Sequence, residues 1–331
     1  SLNVRKNIVR IIVKISDEES KHEANNHVTN ETHITLEELQ KLIDERIAPI
    51  KLELKNPVWI SKFRINERIV NRYRTGRALV AGDAAHCHSP FGGQGMNLGI
   101  QDAHNLAFKL ALAIRGQAAD VDKLIDSYEQ ERYPVAKKVV SGTGFFTKMW
   151  SGNDFISIFL RTRYKPRSRV ENKLIKAGHY ALDGLLKKII PHESHERITM
   201  FDVLRLTASK HTLILFTLTK GATADCNPLI RTLLEIYNDY KSTITPVIVS
   251  YQGVIQAADV PFMPFLKEGR EQHIFVEYKF ELHEKYGITK EVGQQAFVLV
   301  RPDLYVASAV FEDNVDELKA FLRGYLVKAD G

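Results

Sequence analysis

The residues best suited to chemistry lie in one run, GDAAHCHSPFGGQGMN, residues 82–97. It holds Asp83, His86, Cys87 and His88 among the glycines Gly82, Gly92, Gly93 and Gly95. A strand ending in Gly-Asp, a glycine-rich loop and a helix entered at Gly95-Met96-Asn97 would aim backbone N–H groups and a positive helix end at one spot, which suits an anion. Glycine lets a bulky ligand approach the main chain where a Cβ would obstruct it. Asp83, just past the strand, is placed to accept hydrogen bonds from sugar or polyol hydroxyls. A plain tight connection would use the same residue types, and this pattern alone leaves both readings open. A metal at His86 and His88 would need a third ligand at suitable spacing, which the sequence does not offer, so these are read as hydrogen-bonded structural histidines and Cys87 as a bystander thiol. Asp102 and Asn105 are expected to anchor the loop, and Phe145, Phe146 and Trp150 to be core.

The elements that position this run read clearly. RALVA, residues 77–81, is a short apolar strand, and Ala103, Leu106, Ala107, Leu110, Ala111 and Ile114 give a helix closed by Gly116. A second helix is expected over about 121–140, broken or kinked by Pro134. Upstream, VRKNIVRIIVKI reads as one strand with Val9, Ile11, Val13 and Ile15 on one face, already in mid-domain, so the chain is expected to be the later part of a longer protein. The polar run 16–33 reads as an inserted surface loop, Thr35-Leu36-Glu37-Glu38 as the capping box of a helix over about 35–47, and VWISKFRI as a strand.

Beyond residue 150 the chain changes character. Strands are expected at 213–218, 245–251, 273–278, 296–300 and 305–311, with helices at about 227–240, 279–286 and 313–327. Arg301-Pro302-Asp303-Leu304 makes the turn of a hairpin. Strand, helix, strand, hairpin and terminal helix is the order of a thioredoxin-like α/β fold. Its one cysteine, Cys226, leaves it without a dithiol.

Composition bounds the class. The 331 residues are 44% hydrophobic and 26% charged, an ordinary globular balance for about two domains. Cys87 and Cys226 are too far apart for a CxxC pair, and no apolar run reaches the roughly 18 residues of a membrane span, so a cytoplasmic protein with no membrane role is expected. The net charge of +6 is matched by the basic segment 161–176 alone, and without a groove-reading motif no nucleic-acid partner is expected. The expected division is 1–150, a helical basic linker over 151–199, and a domain over 200–331.

The full string is more specific than its physics. Gly82-Asp83-Ala84-Ala85-His86, Pro90, Gly93-Gln94-Gly95-Met96-Asn97, Asp102-Ala103 and Asn105-Leu106 resemble the second flavin-binding motif of the single-component FAD-dependent aromatic hydroxylases. The likeness extends through TGRALVAGD and SYEQERYPVAKKV. Further on, EKYGI, FVLVRPDLYVA and ELKAFLRGYL resemble the carboxy-terminal thioredoxin-like domain of the phenol 2-monooxygenase branch. The resemblance implies an α/β fold, a partial FAD/NAD(P)-binding hydroxylase domain (1–150) followed by a thioredoxin-like α/β domain used for subunit contact in a homodimer. It implies that Asp83 binds the ribityl chain of FAD, that Pro90, Gly93 and Gln94 flank the isoalloxazine, and that Gly95, Met96 and Asn97 face its pyrimidine edge. It also implies a reaction in which NADPH reduces FAD, O2 gives a flavin C4a-hydroperoxide, and a phenolic substrate is hydroxylated.

The departures are specific. The family's G-x-G-x-x-G turn, its other flavin and NADPH motif and its acidic base for the phenol are expected upstream of residue 1. Ile12 stands where the family strand usually carries a tyrosine. The alternative reading is a non-catalytic truncated paralogue with an oligomerisation or scaffold role.

Overall fold

The computed structural model describes residues 2–5, 8–11, 34–61, 67–88, 95–150, 174–188, 197–218, 228–251, 274–277, 279–290 and 293–329. Two compact units divide the chain, residues 1–66 and 67–331.

In the first unit the opening apolar run is a hairpin rather than one strand. β1 (Leu2–Arg5) and β2 (Ile8–Ile11) pair antiparallel, with Arg5 opposite Ile8. Helix α1 (Leu36–Ile47) starts at the expected capping box: Thr35 Oγ1 accepts from the Glu38 N–H at 3.2 Å, and Glu38 Oε2 from the Thr35 N–H at 2.8 Å. Gln40 then holds the following segment, donating to the Leu52 carbonyl at 2.7 Å and accepting from the Leu54 N–H at 2.8 Å. The expected strand at VWISKFRI is not formed over its described residues 58–61, where Val58 and Trp59 are exposed; apolar β-formers without a sheet neighbour to bury them do not make a strand.

The second unit opens with β3 (Arg68–Ile69), β4 (Arg74–Thr75) and β5 (Ala78–Leu79), a 3-10 turn at Gly82–Ala84, and β6 (His86–Cys87). β3 pairs with β6 and β4 with β5, both antiparallel. Helices α2 (Gly95–Ile114) and α3 (Val121–Trp150) follow. The expected break at Pro134 does not occur, and α3 runs through it. Proline there removes one intrahelical bond, and the burial of Tyr128 and Ala136 on either side holds the helix together. The small strands, α2 and α3 close around Tyr73, Ala85, Leu98, Tyr128 and Ala136.

The remainder is a seven-stranded sheet. β7 (Leu185–Lys188), β8 (Arg197–Thr199), α4 (Met200–Leu206), β9 (His211–Thr217), α5 (Pro228–Asp239), β10 (Ile244–Tyr251), β11 (Ile274–Glu277), α6 (Glu281–Tyr286), β12 (Ala296–Val300), β13 (Val306–Phe311) and α7 (Val315–Tyr325) follow in order. The strand order is β13-β12-β9-β10-β11-β7-β8. β9 and β10 are parallel across α5, while β12 runs antiparallel to both β9 and β13. That is the thioredoxin-like core expected from the sequence, extended by β11, β7 and β8. The sheet is covered on both faces. Leu213, Leu215, Phe297 and Leu299 point to one core, and Ile214, Phe216, Val298 and Val300 to the other.

Two boundaries differ from expectation. The segment expected as a helical linker, 151–199, contributes β7 and β8 to the sheet at 185–188 and 197–199, because Leu186 is buried and pairs with Ile198. The 200–331 domain is also not a separate body. Phe108, Leu112, Ala118 and Leu124 of α2, α3 and their connection share a core with Leu213, Ile230, Phe297 and Leu318. Backbone bonds from Ala119 N to Tyr325 O at 3.1 Å and from Val327 N to Gln117 O at 3.0 Å tie the same connection to the end of α7. The basic stretch 161–173, Ile12, Cys226, and the side chains of Phe145, Phe146 and Trp150 lie outside the described residues. Among the described residues no helix is long and apolar enough to cross a membrane.

Candidate functional site

The turn at Gly82–Ala84 is built by backbone contact. Gly82 has φ +58°, and a Cβ on Gly82 or on Gly99 would sit 3.5 Å from the other's Cα, so turn and helix touch main chain to main chain. The left-handed conformation is what requires glycine at 82. Ala85 N donates back to Gly82 O at 2.8 Å and closes the turn.

Asp102 holds this turn from beneath, as expected. Its carboxylate is fully buried and accepts from Gly82 N–H at 3.2 Å, from His86 Nε2 at 2.7 Å and from Arg132 Nε at 2.7 Å. Arg132, on α3, also donates to Gln101 Oε1 at 3.2 Å. His86 is thus a hydrogen-bonded structural histidine, the role its sequence context favoured. Its ring lies 6.2 Å from that of Tyr73, which sits 5.6 Å from both Tyr128 and Tyr133. Burial raises the phenol pKa of Tyr73 and Tyr128, and Asp102 adds to the effect, so both stay protonated. The Cys87 thiol donates to the Asp83 carbonyl at 3.3 Å.

With the turn fixed, Asp83 is exposed and its carboxylate has no partner among the described residues. Gly95, Met96 and Asn97 form the first described turn of α2, with Met96 and Asn97 exposed and no acidic side chain in that turn. His88 lies beside it: a Cβ on Gly95 would be 3.6 Å from His88 Nε2. Pro90, Gly93 and Gln94 lie outside the described residues. An exposed carboxylate can accept bonds from hydroxyls, and the N-terminal end of a helix favours negative charge.

A second polar cluster was not anticipated. Arg301 grips Glu131 with both terminal nitrogens at 2.8 and 2.7 Å, and Asp303 through Nε at 2.9 Å and Nη2 at 2.6 Å. Asn105 Nδ2 donates to Glu131 at 2.7 Å and to Asp303 at 3.0 Å, so Asn105 faces the thioredoxin-like domain rather than the loop. Lys109 Nζ stands 3.2 Å from Glu131. Arg301 also lies over the Phe108 ring, 5.2 Å from its centre. Burial pulls the Lys109 pKa down to about 8 against the opposing pull of Glu131. Burial would raise Glu131, but Arg301 and Lys109 outweigh it and hold the carboxyl at about 2. Nearby, burial and the Arg301 charge lower His211 to about 3; its Nε2 is 2.9 Å from the Tyr325 hydroxyl. One signal did exist in the sequence: Leu98, Asp102, Asn105, Lys109 and Leu112 share the buried face of α2, and polar groups on such a stripe require partners.

The fold is that of an α/β protein in which a glycine turn held against a long helix is joined to a thioredoxin-like layer. The FAD binding domain family matches residues 6–143, and the phenol hydroxylase C-terminal dimerisation domain matches residues 186–330. The pentachlorophenol 4-monooxygenase of Sphingobium chlorophenolicum is 30% identical over 295 residues, covering 83% of this chain and 50% of that protein. A flavin-dependent monooxygenase of Mycobacteroides abscessus is 49% identical over 107 residues, 32% of this chain and 22% of that protein. Among solved structures, BexE, studied for oxidation during BE-7585A biosynthesis, has a TM-score of 0.56 at 25% identity, covering 90% of this chain and 54% of BexE. The aklavinone-11 hydroxylase complex with FAD and aklavinone shares the fold, with a TM-score of 0.59 at 20% identity over 88% of this chain and 51% of that one. The chain belongs to the FAD-dependent aromatic hydroxylases. It spans half or less of the curated relatives described here.

Proposed function

We propose that this chain supplies the ribityl and pyrimidine side of the flavin site in an NADPH-using aromatic monooxygenase that hydroxylates a phenolic substrate with O2 and acts as a homodimer. The observation that carries the reading is the exposed Asp83 carboxylate, without a partner among the described residues, on a turn that Gly99 and Asp102 hold against α2. The residues present fit the cofactor's chemistry. A polyol chain offers hydroxyl donors to Asp83, and a pyrimidine edge that becomes anionic on reduction would lie against helix-terminal N–H groups. When bound, FAD would pass reducing equivalents from NADPH to O2 for insertion of one oxygen atom into the aromatic ring.

The chain's own residues do four things in this account. Asp83 accepts hydroxyl hydrogen bonds and sets the depth of the polyol chain. Gly95, Met96 and Asn97 present N–H groups, and a helix end equivalent to about half a charge stabilises an anion there. Pro90, Gly93 and Gln94, which lie outside the described residues, are assigned to the ring system by the family likeness. Asp102, through Gly82 and His86, keeps the turn at one distance from the helix. Homodimerisation is assigned to the domain that begins near β7, by its likeness to the phenol hydroxylase dimerisation domain.

The test is NADPH oxidation and O2 consumption by the flavin-loaded protein across phenols and matched aromatics without a hydroxyl. Hydroxylated product from the phenols alone is expected. NADPH oxidation with no hydroxylated aromatic product would contradict the proposal.

A further inference from the structure

Two polar clusters lie on one buried stripe of α2, one turn apart. Asp102 makes the first, with Gly82, His86 and Arg132. Asn105 and Lys109 make the second, with Glu131, Arg301 and Asp303. Consecutive residues of α3 serve the two: Glu131 reaches the second and Arg132 the first. The two clusters are joined by the helices that carry them: Asp102 and Asn105 are one turn apart on α2, and Glu131 and Arg132 are neighbours on α3, so the β12–β13 turn and the backbone of the Gly82 turn are both held to the same stretch of α2 and α3. The turn itself is shaped for this contact. Leu304 takes φ +67°, an unfavourable conformation for leucine, and donates its N–H to Arg301 O at 2.9 Å, which holds Arg301 and Asp303 side by side.

We infer that Arg301, supported by Asp303, is a positioning residue for the flavin-side helix. The thioredoxin-like domain sets where α2 and the Gly82 turn sit, in addition to any part in subunit contact. This rests on the reading that α2 and Asp83 flank the flavin. The chemistry favours the role. A planar guanidinium making paired bonds to two carboxylates fixes direction as well as distance, which a lysine or an apolar contact does not. Arg301 reaches α3 at Glu131 and, through Asp303, α2 at Asn105, and Asn105 lies about 15 Å along α2 from Gly95 at roughly 1.5 Å per residue. Its effect therefore travels through the helix and its partners.

The experiment is amide hydrogen exchange on the 331-residue chain, with Arg301→Met, Arg301→Lys and, as a control, Lys319→Met, which removes only an exposed pair with Glu235. Arg301→Met should speed exchange at Gly82, Ala85 and Gly99–Leu106 by at least about tenfold while β9 and β10 amides keep their protection. Arg301→Lys should fall between it and the wild type, and Lys319→Met should change nothing. Unchanged exchange at those amides, or equal loosening of the whole sheet, overturns the inference. If Arg301→Met does not fold, Arg301→Lys and Asp303→Asn are read on the same amides by the same criterion. An FAD titration of Asp83→Ala separates the two claims: it can fail, and with it the flavin reading, while the exchange result stands.

Discussion

Replacing Asp102 with alanine should be among the most destabilising single changes in the second unit. The carboxylate collects three donors in a site without solvent: the Gly82 N–H, His86 Nε2 and Arg132 Nε. Its loss leaves the Arg132 guanidinium, whose side chain is only 5% exposed, with Gln101 as its remaining side-chain partner among the described residues. Breaking a buried ion pair from one side typically costs about 3–5 kcal/mol, because the surviving charge is stranded. At roughly 2–4 °C per kcal/mol for a body of this size, the midpoint of thermal unfolding should fall by roughly 6–20 °C. The exposed ends of the Arg74 pairs with Asp122 and Asp126 should matter far less, since solvent screens them. Calorimetry or circular dichroism on Asp102→Ala, Arg132→Met and the double variant gives the answer. The double variant should be less damaged than the two single losses added together, by at least about 1.5 kcal/mol, since no lone charge remains. Additive losses, or less than about 1 kcal/mol for Asp102→Ala, would refute the reasoning.

The other predictions concern pH. Lys109 is held below its ordinary pKa in the folded chain, at about 8, so between pH 8 and 10 the unfolded chain binds the extra proton and stability rises with pH, by up to about 1.4 kcal/mol per unit. Lys109→Met should flatten that rise in urea unfolding measured across the window; an unchanged slope would count against a strained lysine. His211, lowered to about 3, contributes stability that is present above pH 6.5 and lost as pH falls through the folded value. His211→Asn should make the decline from pH 6 to 4 shallower, and an equally steep decline would show that other groups drive it. Glu131, held at about 2, contributes stability above about pH 4.5 that is lost on further acidification. Arg301→Met removes the main cause of that depression, so the Glu131-linked loss between about pH 4.5 and 2 should shrink, read from urea unfolding across that window; an equally steep loss would count against the pair.

Much of this was legible in the residues, for physical reasons that differ by element. Strand β12 falls where the apolar run AFVLV lies, because a strand buried on both faces must be continuously apolar. The Thr35 cap was visible because its two bonds are local in sequence. Local reading failed where the deciding partner is distant. Leu185-Leu186-Lys187-Lys188 is too short to announce itself and becomes a strand only against β11 and β8. Val58 and Trp59 favour a strand but pair with no strand among the described residues. At the site, Asp83 and the glycines could be named from their spacing, and Asp102 as an anchor from its place on the helix. Arg301 and Asp303 read only as turn residues because their partners Glu131 and Asn105 are more than 160 residues away. A turn signal explains why the chain reverses there, and the carboxylate grip explains the arginine.

The central claim is that Asp83 and the start of α2 hold a flavin, and it is tested most directly by FAD affinity in the protein that carries the complete flavin site. Fluorescence titration should show Asp83→Ala binding FAD about 10- to 150-fold more weakly than the wild type, the consequence of losing a charge-assisted hydrogen bond of roughly 1.5–3 kcal/mol. Thermal stability without the cofactor should be unchanged, because the Asp83 carboxylate has no partner among the described residues. Wild-type FAD affinity in Asp83→Ala would contradict the account.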